Sequence, residues 1–141
     1  MTYRIVVGVD GSEHSNAALR WALDEAKQHP DGMVTALFAW QMPFLSFPGA
    51  FDRHELDKTY KNFLIETVSA IAPSPAVPLE TLVAEGDPTE SLVELSKDAN
   101  LLVLGTRGWA PVAGLLLGSG SQGTAAAAHC PVVLVKRTDA A

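Results

Sequence analysis

Short apolar runs alternate with longer amphipathic segments along the chain. Five of these runs are rich in β-branched residues and have the length of strands that are buried on both faces. They are residues 5–9, 34–40, 79–84, 101–104 and Val132–Val135. Because helical patterns separate the runs, the order predicts an open five-stranded, mostly parallel α/β sheet of Rossmann-like type, with helices on both faces.

The segments between the runs carry helical signals. Asp10 or Ser12 can cap the first helix, and Asp87 followed by Pro88 predicts the start of the third. A glycine-rich stretch leads into a fourth helix that contains residues 125–128. The apolar stripes of the first two helices are Leu19, Ala22, Leu23 and Ala26, and then Leu56, Tyr60, Phe63, Leu64, Val68 and Ile71.

One connection is long and irregular. Residues 42–53 contain Phe44, Phe47 and Phe51 around two prolines. Such a segment can be a lid, a dimer contact or a packed surface loop, and the packed loop is the favoured reading.

Size and charge narrow the class of protein. A chain of 141 residues with 48% hydrophobic residues predicts a single domain over residues 1–141. The net charge of −6 argues against nucleic acid or an anionic membrane as a partner. Cys130 is the single cysteine, and no signal-peptide pattern opens the chain, so we expect a cytoplasmic protein. The uncharged stretch before Val135 contains too many glycines and prolines for a membrane span.

The candidate chemistry lies where strands end. In open α/β sheets, ligands bind beyond the carboxyl ends of the strands, and Asp10 and Gly105 follow two such ends. Gly105 and Gly108 are free to take φ > 0, so that backbone N–H groups converge on an anion. Ser119 and Gln122 have the spacing of a capping box, which predicts a helix N-terminus facing the same site. A simpler reading is that these glycines only shape a connection between a strand and a helix.

Other nucleotide motifs fit less well. Gly118, Gly120 and Gly123 match G-x-G-x-x-G, and Asp139 follows. A dinucleotide oxidoreductase needs that motif at the opening of a βαβ unit, whereas only one strand remains here. No lysine follows a glycine at the spacing of a P-loop.

An ordered set of motifs resembles the universal stress protein family. The spacing G-x2-G-x9-G-[ST] is matched by Gly105, Gly108, Gly118 and Ser119. The opening at residues 5–12, the turn at residues 85–88 and the ending at residues 129–135 extend the resemblance over nearly the whole chain. It implies an adenine nucleotide alpha hydrolase-like fold and a stress-response module that binds ATP, or AMP or cyclic AMP instead. The alternative is a homodimeric interaction module that binds cyclic AMP or no nucleotide.

The resemblance assigns roles to matching positions. Asp10 would contact the ribose or help to hold Mg²⁺ brought by the nucleotide, and Ala39 would meet adenine through its backbone. The phosphates and ribose would be surrounded by Gly105, Gly108, Gly118, Ser119, Gly120 and Ser121. The family commonly has valine where this chain has Gly120. It also dimerises through the last strand, Val132, Val133, Leu134 and Val135, whose edge is open to pairing.

The remaining candidates have ordinary structural readings beside functional ones. Arg107 either neutralises phosphate charge or is a solvated loop residue, and Trp109 packs more readily than it stacks on a base. His129 is interpreted as structural, and Cys130 as a buried, unactivated thiol. The histidines His14, His29 and His54 lack metal-ligand spacing, so no structural metal is expected. With Asp10 the one carboxylate placed at the site, we expect no enzyme, or at most slow hydrolysis.

Overall fold

The computed structural model describes residues 2–42, 52–106 and 119–136. In them, five strands alternate with four helices. The strands are β1 (Tyr3–Gly8), β2 (Gly32–Trp40), β3 (Leu79–Glu85), β4 (Leu101–Gly105) and β5 (Val132–Val135). The helices are α1 (Glu13–Ala26), α2 (Arg53–Ile71), α3 (Pro88–Ser96) and α4 (Ser119–Ala127). The predicted alternation of strands and helices is confirmed. Most of the irregular connection, residues 43–51, lies outside the described residues.

The five strands form one sheet in the order β3-β2-β1-β4-β5, and every neighbouring pair is parallel. The chain moves outward from β1 through β2 to β3, and then returns to the other side of β1 to begin β4. Val7 lies opposite Val103 where β1 and β4 pair. The order of the strands therefore reverses between β1 and β4, and this is the switch point at which open α/β sheets bind ligands.

Two apolar layers cover the faces of the sheet. Helices α1 and α2 pack on one face, where Leu19 and Leu64 are fully buried against Ile5. The other face holds a smaller cluster in which Leu92 of α3 packs with Leu102 of β4. The alternation of side chains along each strand supplies both layers, which is why the runs are apolar throughout.

Side-chain caps begin three of the helices. Ser12, not Asp10, caps α1 and accepts a hydrogen bond from the Ser15 N–H. Asp87 caps α3 through the Glu90 N–H at 3.0 Å, with a proline in the first turn as predicted. Helix α4 already includes Ser119. Ser119 is also the first described residue of this part of the chain, so the capping box predicted for Ser119 and Gln122 stays a prediction.

The stripe predicted for α2 is only partly buried. Leu64 and Val68 are buried, whereas Phe63 is 37% exposed. Phe63 meets Phe38 of β2 edge to face, with ring centroids 5.3 Å apart, and Tyr60 stacks on the same ring. An aromatic cluster thus joins the first half of α2 to the end of β2. None of the described helices is long and apolar enough to cross a membrane.

Candidate functional site

Three neighbouring strands end side by side at the switch point. Asp10 follows the end of β1, Ala39 lies one residue before the end of β2, and Gly105 is the last residue of β4. The Val9 N–H donates to the Leu37 carbonyl at 2.8 Å, which keeps β1 and β2 together up to this edge. The structure therefore brings these three predicted site residues to one edge of the sheet.

A tight turn sets the position of Asp10. Its Oδ1 accepts a hydrogen bond from the Ser12 N–H at 2.9 Å, and its own N–H donates to Ser15 Oγ at 3.1 Å. Gly11 between them has φ +86°, and a Cβ at that residue would lie 2.8 Å from Phe63 Cζ. The positive φ is the reason for glycine there, because the tip of the partly exposed Phe63 ring can shift away from a Cβ. Among the described residues, the second carboxylate oxygen of Asp10 has no hydrogen-bond partner.

The close approach of α1 explains Gly105. A Cβ at Gly105 would lie 2.7 Å from the carbonyl carbon of His14 and 2.8 Å from its Cβ and O atoms. In the described part of the chain, positive φ is confined to Gly11 and Gly86. The expectation that Gly105 takes φ > 0 is therefore wrong, and the anion nest predicted around Gly105 and Gly108 lies partly outside the described residues. Glycine is needed here so that the helix can pack directly on the strand.

Thr106 and His14 complete this contact. Thr106 Oγ1 lies 3.3 Å from Nδ1 of His14, and Thr106 is 4% exposed. Neither residue is among the site residues predicted from the sequence. In the sequence, His14 is a candidate only for metal-ligand spacing, which it lacks. Thr106 stands at a variable position of the glycine motif. The one sequence signal for a role of His14 at the site is its position, two residues after Ser12, which caps a helix that starts at the switch point.

The backbone of Ala39 faces the centre of the sheet. The Leu37 carbonyl accepts from β1, whereas the Trp40 carbonyl accepts from Gly86 beyond β3, at 2.7 Å. Because backbone groups of alternate residues point to the same side of a strand, Ala39 directs its N–H and C=O as Leu37 does, toward β1. Strand β1 has ended at Gly8, so these groups point past it toward the switch point.

The first turn of α4 lies at the same edge. Its residues include Ser119, Gly120 and Ser121. A Cβ at Gly123, one turn later, would lie 3.6 Å from Cγ2 of Thr89, which stands in the first turn of α3. Both helices run back from the carboxyl ends of the strands, so the N-terminus of α4 belongs to the edge that carries Asp10. Arg107, Gly108 and Gly118 lie outside the described residues, as does Trp109.

The other end of the sheet carries His129 and Cys130. His129 is exposed and donates its backbone N–H to Ser96 Oγ at 2.9 Å. Cys130 is half-buried, so the buried thiol expected from the sequence is only partly covered. Desolvation by burial raises the pKa of the Cys130 thiol. A raised pKa reduces the thiolate fraction, and this agrees with the expectation of an unactivated thiol.

The fold and the edge described above define an open, doubly wound α/β protein with its candidate site at the switch point. The chain belongs to the universal stress protein family, whose model matches residues 1–136. A universal stress protein of Mycobacterium tuberculosis is 36% identical over 96% of this chain and 48% of that protein. One of Methanocaldococcus jannaschii is 34% identical over 95% of this chain and 82% of its own length. The chain thus spans about half the length of the mycobacterial relative.

Solved structures show the same architecture. The universal stress protein UspA from Lactobacillus plantarum superposes with a TM-score of 0.77 at 25% identity, over 94% of this chain and 97% of that one. A universal stress protein solved in complex with cAMP gives a TM-score of 0.67 at 28% identity, over 97% of this chain and 98% of that one. The predicted fold class is confirmed by the strand order and by this agreement.

Proposed function

We propose that this chain is a regulatory module that binds ATP with Mg²⁺ at the switch point and acts in a cytoplasmic stress response. One observation supports the proposal most: Ala39, Asp10 and the end of β4 meet at one edge, and the spaced glycines of the family motif follow that strand end in sequence. The chain matches 48% of its mycobacterial relative. The regulatory role of the whole protein is therefore part of the proposal as well.

The described residues fit the parts of the nucleotide. The backbone N–H and C=O of Ala39 suit the hydrogen-bonding edge of adenine. The second Asp10 carboxylate oxygen, which accepts no hydrogen bond from the described residues, suits a ribose hydroxyl or Mg²⁺, since hard cations take carboxylate ligands. The first turn of α4 suits phosphate, because its N–H groups and helix dipole favour an anion. Arg107 would neutralise part of the phosphate charge.

We propose a binding module and not a catalyst. Hydrolysis at a useful rate needs a positioned base close to the attacking water. Asp10 follows the end of β1, whereas Gln41 and Thr106 follow β2 and β4. The Oδ1 of Asp10 already accepts a hydrogen bond from the Ser12 N–H. At most, slow hydrolysis of ATP is compatible with this arrangement.

Cyclic AMP is the second candidate ligand. The observation that favours it is the relative solved in complex with cAMP, which is 28% identical to this chain. A cyclic phosphate carries less charge than a triphosphate and therefore depends less on Mg²⁺ and on the phosphate side of the site. The dependence of affinity on Mg²⁺ separates the two candidates.

Isothermal titration of the purified chain tests the proposal. ATP, AMP, cyclic AMP and adenosine are titrated with Mg²⁺ and again with EDTA, and GTP serves as the control for the base. We expect ATP to bind more tightly with Mg²⁺ and GTP to bind weakly. Tighter binding of cyclic AMP than of ATP supports the second candidate. No heat and no thermal shift with any nucleotide overturns nucleotide binding and leaves an interaction module.

A further inference from the structure

One side-chain contact joins helix α1 to the end of β4. Thr106 Oγ1 and His14 Nδ1 are 3.3 Å apart in a part-buried position, although the residues are 92 positions apart in sequence. The same histidine has its backbone within 3 Å of the Cβ position of Gly105. The first turn of α1 therefore contacts both Gly105 and Thr106 at the end of β4.

Thr106 is held from two sides. Its N–H donates to the Val135 carbonyl of β5 at 3.1 Å, while its hydroxyl faces His14. Arg107 and the rest of the glycine motif follow directly. The end of β4 is thus held by a backbone bond to β5 and by a side-chain contact with α1.

The turn that carries His14 also carries Asp10. Ser12 caps α1 and donates its N–H to Asp10 Oδ1, and the Ser15 hydroxyl accepts from the Asp10 N–H. One helical turn therefore connects the residue proposed for the ribose or Mg²⁺ with the strand end proposed for the phosphates. None of these bonds to Asp10 uses the His14 side chain, so loss of the imidazole leaves the ribose side of the site in place.

We propose that His14 is a positioning residue for the phosphate end of the nucleotide and that it acts through Thr106. The imidazole orients the Thr106 side chain, and Thr106 is the last described residue of β4's end, directly before the glycine motif in sequence. The inference rests on the proposed function. Its consequence is selective: loss of the contact weakens binding of ligands with phosphate more than binding of adenosine, because the adenine side depends on β2.

Titration of matched variants with ATP and with adenosine tests this. The contact can contribute to ligand affinity at most the net energy of one hydrogen bond, a factor of about five, so we expect ATP to bind up to about five-fold more weakly in His14→Ala and in Thr106→Val. Adenosine should bind both variants with unchanged affinity. The double variant should bind ATP no more weakly than either single one, since both remove the same contact. Thr106→Ser keeps the hydroxyl and should bind ATP as the wild type does.

His129→Ala is the control, because that exposed histidine lies at the opposite end of the sheet. Equal weakening of ATP and adenosine in the variants, or additive losses in the double variant, overturns the positioning role. If His14→Ala does not fold, the comparison of Thr106→Val with Thr106→Ser decides. If the wild type binds ATP and every variant binds it as tightly as the wild type, the positioning role is refuted but the proposed function is not. A wild type that binds neither ligand refutes the proposed function, and this inference with it.

Discussion

The backbone of His14 lies directly over Gly105, so that a Cβ on this glycine would be 2.7 Å from the carbonyl carbon of His14. A glycine at the end of a strand thus allows a helix to pack closely against the sheet. The helix that packs there begins at the switch point and carries the turn that holds Asp10. The contact between these two residues therefore belongs to the candidate site as well as to the core.

Gly105→Ala should destabilise the fold, because the new methyl group meets backbone atoms that cannot rotate away. Overpacking of this kind costs about 1–3 kcal/mol of the free energy of unfolding, and chemical denaturation measures it. Gly123→Ala is the control, since its Cβ would lie at an ordinary 3.6 Å from the nearest atom of Thr89. Removing a glycine from a helix there should stabilise by about 0.5–1 kcal/mol. Equal unfolding free energies for Gly105→Ala and the wild type would contradict the close packing.

Asp10→Asn should separate the charge of Asp10 from its role in the turn. The amide oxygen can still accept the Ser12 N–H, so we expect a nearly unchanged melting temperature. The negative charge is lost, so ATP should bind with a smaller difference between Mg²⁺ and EDTA. Asp10→Ala removes the acceptor as well and should also lower the unfolding free energy by about 1 kcal/mol. Unchanged Mg²⁺ dependence in Asp10→Asn would remove the metal role from this carboxylate.

Much of the fold could be predicted because its signals are local. The apolar runs place all five strands, and Asp87 with Pro88 places the start of α3. The presence of Asp10 and Gly105 at one edge follows from a rule about parallel sheets that needs no contact information. These predictions depend on periodicity and caps, which act over a few residues.

The contacts of the site could not be predicted in the same way. His14 meets Thr106 across 92 positions of sequence, and nothing in the pattern around either residue points to the other. A glycine after a strand indicates a turn on local grounds, which led to a positive φ for Gly105 that the structure does not have. The packing of α1 on β4 determines the residue type at position 105, and it can be predicted only once the position of α1 is known.

Gly118→Val should abolish ATP binding while the protein stays folded. On the proposed function, a glycine at this position of the motif would let the backbone approach the nucleotide, and a β-branched side chain would block that approach. Gly120→Val is the matched control, because it makes the same change two residues later and introduces the residue that is common in the family. It should retain binding. Titration measures affinity and circular dichroism checks folding, and equal loss of binding in both variants would argue against a specific role for Gly118.

The Cys130 thiol should react slowly in the folded protein. Burial raises its pKa, so at pH 8 the folded chain has a smaller thiolate fraction than the unfolded chain. The thiol's contribution to stability is complete below the unfolded pKa of about 8.5 and is lost as the pH rises through the folded pKa. Alkylation by iodoacetamide at pH 8, with and without urea, compares the same thiol in both states. Faster alkylation of the folded protein would contradict the raised pKa.

Leu134→Pro should disrupt a dimer that pairs through β5. The carbonyls of Pro131 and Val135 accept hydrogen bonds from β4, so alternation directs the backbone groups of Leu134 to the open edge of the sheet. A proline there removes an outward N–H and leaves the pairing with β4 intact. Leu134→Ala is the control, because it loses the same packing but keeps the N–H. Light scattering after gel filtration should give a dimer for the wild type and for Leu134→Ala, and a monomer for Leu134→Pro. A monomeric wild type, or a dimer that survives the proline, would exclude this edge as the interface.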